Sequence, residues 1–394
     1  MTAPAFSRSG MGHRGTVLLG MSGGVDSSVA ASLLVEQGYN VRGITLQVWE
    51  NEDESVAVSK RWQERGCCKV GMARHVAKML GIPHEVIDTR EAFEKGVVEN
   101  FIHGYLSGTT PNPCVRCNER VKFGSLYRLA RDRGADYVAT GHYARVQTTP
   151  DGSAGLWKAS DGKKDQSYFL YRLPSSCLSQ TLFPLGDMQK AEVWRRAEAM
   201  GLPVEELRES QEICFVTQGD YREFIKYNAP ESFRPGNFTN SKGETIGQHN
   251  GIAFYTPGQR KGLGVALGER VYVQRVIPET HTVVLGSRQE LLTMSCLVSD
   301  LHLYDVEALQ EGARLDVKVR YASPAVSATL EWMGDHSVQI SFLSPQLALS
   351  PGQSAVFYQG NRVLGGGIIQ RGLPQEPENG HGSSVFPRSR STEI

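Results

Sequence analysis

What the 394-residue chain lacks narrows its class first. No apolar run approaches the roughly 18 residues that a membrane-crossing helix needs, so no membrane association is expected. Residues 1–15 hold Arg8, His13 and Arg14 but no apolar stretch. They read as a flexible start and not as a secretory signal. They also lack acidic residues and carry serines, a composition compatible with an organelle transit remnant. The expected location is cytoplasmic, or an organelle stroma or matrix. Net charge is missing too: 42 Lys and Arg balance 42 Asp and Glu. That balance counts mildly against a nucleic-acid partner, and local patches decide the matter because screening limits a charge's reach to about 10 Å. Cysteine is sparse and odd in number, seven in all, with Cys67 and Cys68 adjacent. Reduced thiols fit that count better than a disulfide framework. A zinc site usually takes four Cys or His ligands, and a single Cys-x-x-Cys pair is visible. There is no internal repeat.

What is present is a regular alternation. "TVLLGM" is a short apolar run bounded by glycines and reads as a buried strand. "SSVAASLLVEQG" follows as a helix stopped by Gly38. Further strands are expected in "YNVRGITLQVW", "HEVID" and "ADYVATGHYARV", separated by helices in "MARHVAKMLG", "REAFEKGVVENFIHGYLSG" and "ERVKFGSLYRLARDRG". This order predicts an α/β fold, a doubly wound parallel sheet with ligands at the strand carboxyl ends. Residues 51–69 interrupt the pattern and read as an excursion or lid. After about Phe215, Gly, Pro and turn residues rise. Beyond Leu291, short alternating segments such as "RLDVKVRYAS", "HSVQISFL" and "SAVFYQGNRVLGGGII" predict a small antiparallel β-barrel. The end of the chain is polar and rich in Pro, Gly and Ser, as disordered tails are.

"GMSGGVDSS" joins the first strand to the first helix. Gly23 and Gly24 permit a tight turn that exposes N–H groups, and Ser22, Ser27 and Ser28 add hydroxyls. The helix behind presents its positive N-terminus, so an anion is stabilised there. The loop has no Walker lysine and is not G-x-G-x-x-G. Asp26, an acid beside a phosphate site, makes sense if it helps hold Mg²⁺. The stretch resembles the pyrophosphate loop of the ATP pyrophosphatase superfamily, whose members cleave ATP to AMP and pyrophosphate to turn a carbonyl oxygen into a leaving group. That resemblance implies that Gly20, Met21, Ser22, Gly23, Gly24, Val25, Asp26 and Ser27 hold ATP phosphates. It further implies that Leu46 meets the adenine and that Gly141 lets the nucleotide approach closely.

In "TPNPCVRCNERVKFG", Asn112 reads as a helix N-cap and Pro113 as the first helical residue. Cys114 then falls in the first turn and Cys117 one turn on, sharing a face. A helix start and the neighbouring Arg116, Arg120 and Lys122 favour thiolate over thiol. A redox pair, half a metal site, a nucleophile with a bystander, and plain core all remain open. Cys214 lies where the alternating pattern ends, behind Gln211 and Glu212. Three thiolates from Cys114, Cys117 and Cys214 could hold a [4Fe–4S] cluster with one open iron. Cys177 and Cys296 lack polar company and read as packing residues. Arg116, Arg120, Lys122, Arg128, Arg131 and Arg133 form a basic stripe that could track RNA or simply face solvent. Lys163, Lys164, Arg172, Arg260 and Lys261 have glycines and aromatics beside them, which favours RNA.

The loop, this cysteine segment, "ATGHYARV", "KKDQSYFLYRL", "TLFPLGDMQKAEVWRRAEAMGLPV", "SQEICFV" and "YTPGQRKGLG" together closely resemble the tRNA-specific 2-thiouridylases (tRNA-uridine 2-sulfurtransferases). The likeness runs from about Thr16 to Ile369. It implies an ATP-pyrophosphatase domain over 16–216, a central domain over 217–292, a β-barrel over 293–372 and a tail over 373–394. It also implies that Cys117 is the nucleophile carrying a persulfide and Cys214 its partner. Asn112, Pro113 and Cys114 would contact the target base. His142, Lys164, Asp165, Gln166, Arg320, Tyr321 and Gln353 would touch tRNA. The implied reaction is 2-thiolation of the anticodon wobble uridine, with ATP adenylating O2 and a sulfur-relay protein or cysteine desulfurase as donor. The target base must leave its stack to react. Residues 51–69 and 241–250 depart from the family's usual composition.

Overall fold

The computed structural model describes residues 14–49, 69–204, 213–216, 220–265, 268–334 and 336–373. Cys67, Cys68, Gln211, Glu212, nearly all of the expected lid and the polar tail beyond 373 lie outside these residues.

The first domain is built on a five-stranded parallel sheet. Its early strands are β1 (Thr16–Gly20), β2 (Asn40–Gln47), β3 (His84–Asp88) and β4 (Tyr137–Thr140). A short hairpin of β5 (Ala144–Thr148) and β6 (Ala154–Lys158) precedes the edge strand β7 (Thr181–Leu182). The order β3-β2-β1-β4-β7 places β1 at the centre, beside the point where the order reverses. Alternation explains the layering. Val17 and Leu19 enter one core with helix α1 (Val25–Glu36) and the helix Lys190–Ala199, while Leu18 enters the opposite core with Phe123 and Leu126.

One local expectation fails here. "ADYVATGHYARV" is not a single strand. β4 ends at Thr140, and β5 turns away to pair with β6, which touches the barrel at Trp157↔Arg362. The residues between are packed against the phosphate loop, so the chain must bend there. Helices expected as continuous also change winding. Residues 90–106 carry a π segment at Glu94–Val98, and residues 113–133 carry one at Cys117–Phe123. Such segments commonly accompany functional sites.

The central domain is a four-stranded sheet of β8 (Gly236–Thr239), β9 (Thr245–His249), β10 (Tyr272–Ile277) and β11 (Thr282–Gly286), around Phe238, Val273 and Leu285. The last domain uses β12 (Leu292–Leu303), β13 (Arg314–Lys318), β14 (Val326–Trp332), β15 (Ser337–Leu347), β16 (Ser354–Gln359) and β17 (Arg362–Leu373). Its order is β12-β15-β14-β13-β16-β17, and β12 also pairs with β17, which closes a six-stranded barrel. Closure removes both sheet edges. Inward residues such as Val298, Val317, Ile340 and Phe357 fill the interior. Outward Val356, Tyr358 and Val363 share a core with Tyr168 and Tyr171 of the first domain, so barrel and first domain are packed together. No described helix is long and apolar enough to cross a membrane.

Candidate active site

The phosphate loop owes its shape to its own small residues. Gly23 has φ +77°, and a Cβ there would collide with the Lys69 carbonyl. Lys69 in turn donates its N–H to the Ser22 carbonyl at 2.7 Å, pinning the loop. The Ser22 N–H donates to Ser27 Oγ (3.2 Å), and the Ser28 hydroxyl donates to the Gly24 carbonyl (2.9 Å). Gly24 caps α1 without a side-chain hydrogen bond. Met21 and Val25 are buried, so these two serve the core and offer only backbone to the loop. Gly141 is required by the loop's own backbone: a Cβ there would lie 2.7 Å from the Ser27 nitrogen. The loop itself presses on Gly141. Leu46 is buried near the carboxyl end of β2.

Asp26 does not stand as an open metal ligand. Its Oδ1 accepts from Lys190 Nζ at 2.7 Å and from the Tyr143 hydroxyl at 2.8 Å. Mg²⁺ on that oxygen would displace the ammonium. Lys190 is buried, and its Nζ lies 5.6 Å from the Tyr143 ring centre and 5.0 Å from that of Trp194. The loop without a Walker lysine thus has a lysine delivered from another helix. Lys190 and Tyr143 were missed in the sequence. The only hint was "DMQKAEVW", where a basic residue opens a helix.

The cysteine helix starts as expected. The Val115 N–H donates to Asn112 Oδ1 at 3.3 Å, and Pro113 occupies the first turn. The two thiols nevertheless differ in burial: Cys114 is exposed and Cys117 buried. The π segment begins at Cys117 and changes the spacing of every residue after it. Cys117 joins an apolar cluster with Val48, Phe93, Val121 and Phe215, against which Cys214 packs. The fold therefore unites the two cysteines that sequence alone could not. Among the described residues no three His, Cys, Asp or Glu side chains converge as a metal site. Three thiolates on one cluster do not fit this arrangement. Cys296 is fully buried, and burial pushes its thiol up to about 12, as suits a packing residue.

The residues expected to touch tRNA divide. Asp165 is 6% exposed and holds its own loop: Oδ1 accepts the Ala159 and Ser167 N–H groups, and Oδ2 the Ser167 hydroxyl. Gln166 Oε1 accepts the Tyr143 N–H. Arg320 donates to the Ala348 carbonyl, to Ser350 Oγ (2.8 Å) and to the Pro257 carbonyl (3.4 Å), tying central domain to barrel. Gln353 Nε2 donates to the Thr110 carbonyl at 2.9 Å, so it clasps the segment leading to Asn112. The His142 ring is wedged beside Phe123 and Phe183, with Nδ1 2.7 Å from Thr140 Oγ1. Burial holds its pKa at about 3. Lys164 is half-buried and Tyr321 is exposed. Tyr321 lies 4.4 Å from Phe169, centre to centre, with Lys318 Nζ 5.1 Å from its ring. Phe169 and Lys318 were not foreseen.

The basic stripe is largely paired. Arg116 meets Glu119 (3.1 Å) and Asp300 (3.4 Å), Arg131 meets Asp132 (3.4 Å) and Arg133 meets Glu85 (2.8 Å). Arg172 is 9% exposed and bound to Asp300 and Glu119.

Three family models match the chain in succession. They are a tRNA methyl transferase HUP domain over residues 15–218, a tRNA methyl transferase PRC-barrel domain over 222–287 and an aminomethyltransferase beta-barrel domain over 293–369. A tRNA-specific 2-thiouridylase MnmA of Carboxydothermus hydrogenoformans is 44% identical over 91% of this chain and 99% of its own. One from Acetivibrio thermocellus is 44% identical over 90% of this chain and 99% of its own. One from Clostridioides difficile is 42% identical over 91% and 98%. Identity of this extent, over nearly the whole of both chains, shows that the chain belongs to the family of tRNA-specific 2-thiouridylases.

Proposed function

We propose that this protein converts the wobble uridine of tRNA to 2-thiouridine, consuming ATP and releasing AMP and pyrophosphate. The observation that carries the mechanism is the shared apolar cluster of Cys117 and Cys214 beside a helix start. An ammonia-transferring relative of the same superfamily would need the phosphate loop but not this pair.

ATP is a substrate, and its phosphates meet the loop from Ser22 to Ser27, with Lys190 supplying positive charge. The base O2 attacks the α-phosphorus, and pyrophosphate leaves. The base is then held as its O2-adenylate, and AMP becomes the leaving group at C2. A donor, a relay protein or a cysteine desulfurase, has meanwhile left a persulfide on Cys117. Cys214 attacks the inner sulfur of that persulfide, forming a Cys117–Cys214 disulfide and freeing sulfide, which displaces AMP at C2. Alternatively, the terminal sulfur attacks C2 first, and Cys214 then resolves the adduct to the same disulfide. Both routes balance, and both need a thiol to reduce the disulfide before the next turnover. Burial of Cys117 shields the persulfide from water and stray thiols.

Tyr321 and Phe169 offer an aromatic face, and Lys318 a cation, where a splayed nucleotide could stack. The test is mass spectrometry of tRNA nucleosides after incubation with ATP and a sulfide source. Wild-type protein should yield 2-thiouridine and AMP, and Cys117→Ser should yield neither the thionucleoside nor turnover. Persistence of 2-thiouridine in that variant would overturn the mechanism.

A further inference from the structure

"LGGGII" in β17 has no part in the chemistry above, yet it is the most unusual run in the barrel. Its three glycines lie against a defect in the neighbouring strand. β12 pairs with β17 as far as Ser299↔Ile368, with one earlier register shift between Leu297 and Val298, and resumes at His302↔Gly366, so residues 300 and 301 together face a single residue of β17 and bulge out. Asp300, inside the bulge, has φ +49°, a left-handed conformation uncommon for a residue with a side chain. A Cβ on Gly365 would collide with the His302 carbonyl, and one on Gly367 would lie 2.6 Å from the Ser299 carbonyl oxygen. A Cβ on Gly366 would lie 2.9 Å from the ring of Tyr171, the residue before Arg172. The glycines therefore accommodate two things at once: the bulge and the Tyr171–Arg172 segment of the first domain.

The bulge re-aims Asp300 away from the barrel and onto two arginines. Arg172 Nη1 donates to the Asp300 carbonyl at 2.9 Å, and its Nη2 to Oδ1 at 3.1 Å. Arg116 Nη2 donates to Oδ2 at 3.4 Å. Both arginines continue to one carboxylate: Glu119 lies 3.1 Å from Arg116 Nη1 and 3.2 Å from Arg172 Nε. Glu119 sits in the π segment that begins at Cys117. The chain of contacts thus runs from barrel bulge to guanidiniums to the turn that carries the reactive thiol. Arg172 is almost wholly buried, so losing a carboxylate partner costs more there than at a surface pair.

We propose that Asp300 is a positioning residue for Cys117. It fixes Arg116 and Arg172, and through Glu119 the π segment, so that the barrel sets the attitude of the sulfur carrier. The inference rests on Cys117 being that carrier, as read above.

The test uses full-length Asp300→Asn and Asp300→Gly. Both residues tolerate a positive φ, so both remove the carboxylate while keeping the bulge. In each, kcat for tRNA thiolation should fall about tenfold with the KM for ATP unchanged, because only the geometry at the thiol is disturbed. In parallel, alkylation of each cysteine by iodoacetamide is followed by peptide mass spectrometry. Cys117 should label several-fold faster than in wild type. Cys296, fully buried on the same strand as Asp300, should stay as protected as before. Wild-type kcat in both variants would overturn the proposal. So would Cys296 opening together with Cys117, since that would mean general loosening of the barrel. If instead Cys117→Ser still thiolates tRNA, it is the assignment of Cys117 that fails, and the two failures are told apart.

Discussion

At the scale of single residues, the site depends on side chains that neutralise one another before any substrate arrives. Asp26 beside a phosphate loop would repel the nucleotide, and Lys190 at 2.7 Å removes that repulsion. Lys190→Met should therefore raise the KM for ATP by at least tenfold, and isothermal titration with a non-hydrolysable ATP analogue should show the same loss. Asp26→Asn in that background should recover part of the binding, because the uncompensated carboxylate is then gone. Binding unchanged in Lys190→Met would remove Lys190 from the site. His142 makes a second residue-scale case. Its ordinary pKa is 6.5, and burial holds it at about 3 in the folded protein. The unfolded chain therefore binds more protons between those values, and stability falls as pH drops through that window. Above pH 6.5 His142 contributes no pH dependence. Denaturant midpoints measured from pH 7 to 4 should decline less steeply in His142→Asn than in wild type.

At the scale of elements, most of the fold was legible. The alternation of apolar runs and helical periods gave the parallel sheet, and the Asn112-Pro113 helix start was visible because capping is local chemistry. What was not legible depends on contacts distant in sequence. Nothing in "GHYARV" announces that the strand breaks at Thr140 and joins the barrel. Nothing in "CVRCNERVKF" announces the π turn that starts at Cys117, and nothing in it says that one cysteine is exposed and the other buried. Glycine shows the same divide: a turn needing Gly23 is visible in the sequence, whereas the close contact of Gly141 with the Ser27 backbone is not. Gly141→Ala should therefore push the start of α1 out of place. ATP binding should drop below detection while the far-UV circular dichroism spectrum and the cooperative melt remain. An alanine variant that binds ATP normally would show that the loop yields to a methyl group.

At the scale of the whole molecule, the barrel clasps the segment of the first domain that leads to Asn112, a contact that the linear order of domains does not reveal. Arg320, expected from the sequence as an RNA contact, ties the Pro257 turn of the central domain to the Ala348–Ser350 turn of the barrel. Gln353 does the same for the segment leading to Asn112. Its amide donates to the Thr110 and Pro111 carbonyls, while the Thr110 N–H donates to the Pro351 carbonyl at 2.7 Å. A Cβ on Gly352, at φ +89°, would lie 3.0 Å from the Thr110 backbone, so the two turns lie in direct contact. A hydrogen bond of this kind contributes about 1 kcal/mol, too little to hold the barrel on but enough to choose the conformation of three residues. Gln353→Ala should thus lower the melting temperature only slightly. It should reduce kcat/KM for tRNA about tenfold, and leave ATP-analogue binding untouched because the phosphate loop is supported elsewhere. Steady-state thiolation at varied tRNA concentration checks this. Were Gln353 only a surface ligand of RNA, its loss would leave the Asn112–Cys114 segment as ordered as before. Hydrogen exchange of the Val115 N–H, which Asn112 caps in the free protein, separates the two readings: it should quicken in Gln353→Ala if the barrel holds that segment in place.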